Sequence, residues 1–218
     1  MLIWIKKMKN LFSRSPFFTA KVMLDKIPGR PFQIEKLFVL ILSKPSNLGI
    51  KRLEIREGDP RDIQQMCVLE NKEPDLFGKR FDDGIFCAVA TNEDKTIVGY
   101  QWFSNKAVHL EELLGYRLEI PRDSVYAYDA FIKVEYRRRG IWVNFQNYML
   151  DKAKRLGREK VVAMVSLGNE VFLKAHLHKG YVITKNIICI RLFSKWFFRQ
   201  KMLAPADVNT QKTMGMRQ

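Results

Sequence analysis

The stretch VYAYDAFIKVEYRRRGIWV, residues 125–143, decides the fold. Val125 to Val134 is an apolar, β-branched and aromatic run that reads as a strand. Three arginines and a glycine follow at once (Arg137, Arg138, Arg139, Gly140), and helical spacing then takes over through Ile141, Phe145, Tyr148, Met149, Lys152 and Leu156. A strand that delivers the chain through a tight basic loop into a helix builds an anion site. The first helical amides lack internal partners, the helix dipole adds partial positive charge, and glycine lets the backbone approach closely. A basic, solvated helix start that binds nothing has the same local pattern.

Working outward, Lys160 to Leu167 reads as a further strand, 169–178 as a helix closed by Gly180, and 181–193 as a last strand. Upstream, Arg52 to Glu57 alternates as a half-buried strand. Asp59 and Pro60 then open a helix whose face is Ile63, Met66, Cys67 and Glu70, and a second helix covers 74–82. Ile85 to Thr91 and Thr96 to Phe103 form a hairpin around a polar turn, and 104–124 is a connection. The order is strand, two helices, three strands, helix, strand, helix, strand. It predicts an α/β (α+β) fold with a mixed, mostly antiparallel central sheet and helices on both faces.

Residues 1–50 read as a basic N-terminal extension with a short helix and a strand at 36–43, 51–199 as the main domain, and 200–218 as a disordered tail. Met1 to Phe12 lacks the apolar core and cleavage site of a signal peptide. Leu37 to Leu42 is too short to span a bilayer. A soluble, cytoplasmic chain follows, with a basic surface able to meet a membrane.

Lys and Arg outnumber Asp and Glu 38 to 23 in 218 residues, a net charge of +15, which attracts nucleic acid, anionic lipid or a phosphorylated cofactor. Cys67, Cys87 and Cys189 are widely spaced and odd in number, so neither a disulfide framework nor a metal site is expected.

Residues 125–181 resemble the GNAT N-acetyltransferases. That family carries Arg/Gln-x-x-Gly-x-Gly/Ala at the strand–helix junction, and Arg137 and Gly140 match it. Val134 stands at the family's proline and Trp142 at its second Gly/Ala. The later family segment, Asn then Ala then Tyr then Gly-Phe, corresponds to Asn169, Phe172, His176 and Gly180-Tyr181. The resemblance implies binding of acetyl-CoA or another acyl-CoA by Phe131, Ile132, Val134, Arg137, Arg138, Arg139, Gly140, Ile141, Trp142, Val143 and Asn169. It further implies acyl transfer to an amine or hydroxyl by direct attack on the thioester. An oxyanion donor is implied at the Phe131–Ile132 end of the strand, with Lys133 and Val134 beside it.

Acyl transfer needs a base, an acid and an oxyanion donor. Asp129, alone in an apolar strand, is either a buried base or a carboxylate paired with an Arg. Alternation places it with Ala127 and Phe131, opposite Tyr126 and Tyr128. Glu70 is a second candidate base. His176 is either the acid for the departing thiolate or an ordinary helix histidine. The acceptor is unidentified, and the basic chain suggests an anionic one. The alternative function is a GNAT-like binding protein for nucleic acid or anionic membrane, to which the aromatic and cationic residues 193–199 can contribute unless they cap the core. Monomer and homodimer both remain open.

Overall fold

The computed structural model describes residues 16–44 and 53–203. The helix expected near the N-terminus and the tail expected beyond 204 lie partly or wholly outside those residues.

Among the described residues, eight strands form one sheet, in the order β10-β9-β1-β8-β7-β4-β3-β2. They are β1 (Phe32–Leu42), β2 (Glu54–Glu57), β3 (Phe86–Thr91), β4 (Ile97–Ser104), β7 (Ser124–Ile132), β8 (Lys160–Ser166), β9 (Val182–Leu192) and β10 (Lys195–Met202). Only β7 and β8 run parallel; every other neighbouring pair is antiparallel. The mixed, mostly antiparallel sheet expected from the sequence is therefore present.

One face carries α4 (Ile141–Arg155) and α5 (Glu170–Lys179). Phe145, Met149, Leu150 and Ala153 of α4 bury against Val161, Ala163 and Leu40 of the sheet. Asn169 caps α5 by accepting from the Phe172 amide at 3.2 Å, and Gly180 ends the helix at φ +104°, a conformation that L side chains rarely adopt. The other face carries α2 (Ile63–Glu70) and α3 (Pro74–Asp82), whose Met66 and Phe77 pack on Trp102 and Tyr100. In front of α2, Asp59 and Asp62 form a capping box, and Arg56 grips the Asp62 carboxylate at 2.7 and 2.8 Å.

Three features depart from the sequence reading. The connection 104–124 contains a hairpin, β5 (Val108–Glu111) with β6 (Tyr116–Glu119), and its buried Leu118 and Tyr116 close a core with Leu37, Val39 and Ile187. The tail boundary at 200 falls inside β10. The boundary at 50 separates no structural unit, because β1 lies within the sheet, paired with β8 on one side and β9 on the other. The helix ahead of it, α1 (Pro16–Leu24), is tied to β1 by Lys21 and Glu35, 2.6 Å apart. Apolar period reveals a strand but carries no information about which strands it joins.

Leu40, fully buried in β1, tests this placement. Leu40→Ala is expected to lower the free energy of unfolding by about 3 kcal/mol, as for interior leucines. A loss of only a few tenths, measured by urea denaturation, would show β1 to be an appendage.

Candidate functional site

β7 and β8 pair only from Ser124–Lys160 to Ala127–Ala163. Beyond that point β7 follows β4, while β8 follows β1 as far as Ser166 opposite Leu37. The two strands thus splay apart. The divergence coincides with a bulge: Tyr128 faces Trp102 and Ala130 faces Gln101, so Asp129 is unpaired, at φ +44°.

The bulge reverses the expected alternation. The Asp129 side chain is turned to the α2–α3 face, where Tyr128 and Phe131 also pack. Asp129 accepts from Lys72 at 2.9 and 3.2 Å and from Arg80 at 2.5 Å. The Arg pairing given as one reading of this residue is present, and Lys72 adds a second cation. Such charge-assisted bonds contribute about 1 kcal/mol or more each, enough to offset roughly 1 kcal/mol of left-handed backbone. Lys72 also lies 3.0 Å from Glu70, and the Glu70 carboxylate accepts the Tyr100 hydroxyl. Burial, with this bond next, pushes the Tyr100 phenol far up, so it stays a neutral donor. The Arg80 guanidinium lies over Trp102 at 5.1 Å and over Tyr128 at 5.2 Å. The sequence reading missed Lys72, Arg80 and Tyr100. The signal was a lone acid in an apolar strand, which requires a cation from elsewhere; only the fold says which.

On the α4–α5 face the chain leaves β7 through a 3-10 turn at Val134–Tyr136. Arg138 at φ +61° and Gly140 at φ +76° then turn it into α4. Arg137 donates from Nε to the Ile132 carbonyl at 2.9 Å, tying the loop to the strand end.

A cavity of about 480 Å³ opens here. Its walls are Ala130, Phe131, Ile132, Tyr136, Arg137, Arg138, Gly140, Ile141, Trp142, Val143, Asn169, Val171, Phe172 and Ala175. Nine of the eleven residues expected to bind the cofactor therefore meet: Phe131, Ile132, Arg137, Arg138, Gly140, Ile141, Trp142, Val143 and Asn169. Arg139 is turned to a second cleft with Leu53 and Asn92, and Val134 stands 70% exposed outside the walls. Beside the Phe131–Ile132 strand end, the Lys133 amide donates to the Val98 carbonyl at 2.9 Å. Among the described residues, the walls hold two arginines and no carboxylate. They also hold the Trp142 indole, whose Nε1 is buried and has no hydrogen-bond partner among the described residues. The two arginines and the open amides of α4 together fit a polyanionic ligand.

His176 is not in these walls. It is 1% exposed, its ring boxed by Trp142, Phe172 and Tyr181 at 4.6, 4.3 and 4.7 Å between centroids. Its Nδ1 is bonded to the Phe172 carbonyl at 2.8 Å. It cannot protonate a leaving group from there, and the acid role drawn from its family position is corrected. Beneath the bulge, Tyr181 donates to Gln146 at 2.5 Å and Gln146 to Gln101 at 2.7 Å, a buried chain joining the residue ahead of β9 to α4 and β4.

No protein-family model matches the chain, and no curated protein matches it in sequence. Among solved structures it resembles a functionally unknown conserved protein from Staphylococcus epidermidis. The TM-score is 0.53 at 14% identity, over 79% of this chain and 68% of that one. An aminoglycoside antibiotic 6'-N-acetyltransferase from Acinetobacter baumannii gives TM-score 0.46 at 15% identity, over 59% and 89%. A GNAT family N-acetyltransferase from Escherichia coli in complex with CoA gives 0.40 at 21%, over 54% and 65%. The fold resembles that of the Staphylococcus epidermidis protein. At these identities the likeness is one of fold. The splayed strands and the basic loop occupy the region that carried the sequence resemblance.

Burial holds the His176 imidazole down at about 4, against an ordinary 6.5. Between those pH values the unfolded chain takes up a proton that the folded chain refuses, so stability falls as pH drops from 6.5 to 4 and levels off below. His176→Gln removes this dependence, and the difference between wild type and variant isolates it from His109, which burial also holds at about 4. A difference that stays flat across this range in urea titrations would contradict the burial of His176.

Proposed function

We propose that the chain is an acyl-CoA-dependent acyltransferase that passes an acetyl group to an amine or hydroxyl acceptor. The observation that carries this reading is the anion-fitted cavity opening where β7 and β8 part, with the ion network of Asp129 on the other face of the same bulge. The amides at the start of α4, with Arg137 and Arg138, would hold the pyrophosphate. Bound acetyl-CoA supplies an activated acyl group as a thioester. Past Ala127, the edge of β7 is released from β8 and can pair with an extended, amide-bearing chain. Phe131 and Ile132 wall the same groove.

Asp129 immediately precedes the first cavity residue, Ala130, and its carboxylate faces the α2–α3 side. We assign that side to the acceptor. In this reading Asp129 receives the proton that the attacking group loses, while Lys72 and Arg80 fix its orientation, and Glu70 with Tyr100 closes the network. The neighbours that are named acetyltransferases agree with this chemistry, although their low identity carries nothing about the acceptor.

Two measurements test the reading. Acetyl-CoA or CoA is expected to raise the melting temperature, and Gly140→Asp to abolish the rise, because a carboxylate then stands at the anion site on a strained backbone. No shift with any acyl-CoA removes the proposal. Asp129→Asn is expected to lower turnover by about 100-fold or more while the cofactor Kd changes by less than about threefold. Turnover at the wild-type level would clear Asp129 of a proton-transfer role.

A further inference from the structure

The sheet face that carries α4 and α5 continues past both helices onto the outer ends of β1, β9 and β10, and there no helix among the described residues covers it. Registers place its residues in cross-strand rows: Phe32 with Leu192 and Lys195, Ile34 with Ile190 and Phe197, Lys36 with Ile188 and Arg199. Adjacent strands and alternate residues make this patch about 10 Å across and about 14 Å along the strands. Ile190 is 40% exposed, Leu192 42% and Phe197 52%. At its tip the β9–β10 turn projects Phe193, 70% exposed, with its ring 5.6 Å from that of Phe32.

Contiguous apolar surface rimmed by charge marks an interaction site, and the rim here has one sign. The three rows contain Lys36, Lys195 and Arg199, Lys201 follows on the same face of β10, and no Asp or Glu is among them. Aromatic and aliphatic side chains ringed by lysine and arginine suit the boundary of an anionic bilayer, where apolar groups enter the acyl region and cations stay with the headgroups. A second copy of the chain fits poorly. β10 is the sheet edge, and Lys195, Arg199 and Lys201 along it would be brought against their own counterparts. Nucleic acid would leave the apolar rows without a partner. No helix among the described residues is long and apolar enough to cross a membrane, so contact through this face would be peripheral.

We propose that the β1–β9–β10 face docks on anionic membrane surfaces, with Phe193 and Phe197 inserted and Lys36, Lys195, Arg199 and Lys201 on the headgroups. The face is separate from the cavity, and the inference does not depend on acyl transfer.

The test is cosedimentation of the full chain with phosphatidylcholine vesicles, with and without about one third phosphatidylserine. Binding is expected only to the anionic vesicles. Phe197→Ser, which leaves the net charge unchanged, should weaken it by about tenfold, the effect of losing one inserted aromatic ring. Arg199→Glu combined with Lys201→Glu should weaken it at least as much. Unchanged melting temperatures check that both variants are folded. Absence of binding to anionic vesicles overturns the proposal, as does equal binding by Phe197→Ser, which would assign the attraction to diffuse charge. A wild-type dimer in light scattering that Phe197→Ser dissociates would assign the face to a second copy, and also overturns it.

Discussion

The bulge at Asp129 is the constraint on which the rest of the site depends. A parallel pair of strands stays together unless something stops the ladder. Here one residue of β7 is left out of register and turned into the left-handed region, where its carboxylate is gripped by Lys72 and Arg80. The strand bends with β4 and away from β8. One local event thereby opens a groove beside the α4 terminus and presents a charged network to the α2–α3 face. The Gln101–Gln146–Tyr181 chain holds the same place from beneath and ties α4 to β4 and to the residue that leads into β9.

The electrostatics of the two sides differ accordingly. The cavity walls are basic and lack carboxylates, as a polyphosphate requires. On the other side two acids and two bases face one another, and the buried Tyr100 hydroxyl is held protonated. The first arrangement holds charge; the second can redistribute it. That division is what the proposed transfer between an anionic donor and an acceptor on the opposite face would use.

Much of this was legible in the sequence because it is local. The 125–143 junction, the capping residues Asp59 and Asn169, and Gly180 each act within a few residues, and nine of the eleven residues expected at the cofactor do line one cavity. What was not legible is what the tertiary arrangement decides. Alternation misplaced Asp129 because a bulge leaves no mark in the period of the strand. His176 sat at an informative position, yet Trp142, Phe172 and Tyr181 enclose it. β1 looked like an extension because pairing across more than a hundred residues has no local signature. The aromatic stretch 193–199 divides by face: Trp196 and Phe198 pack beside Tyr116 and its core, whereas Phe193 and Phe197 point outward.

The central claim is that one groove, made by strand splay and ended by the α4 amides, receives the acyl donor. An amide-resolved NMR titration with CoA tests it most directly. The account predicts that resonances of Ile141, Trp142 and Val143 shift together with those of Ala130 to Ile132 and Asn169, along one saturating curve, while those of Lys195 to Met202 stay in place. Shifts confined to exposed lysines and arginines, or none in the groove at saturation, would contradict it.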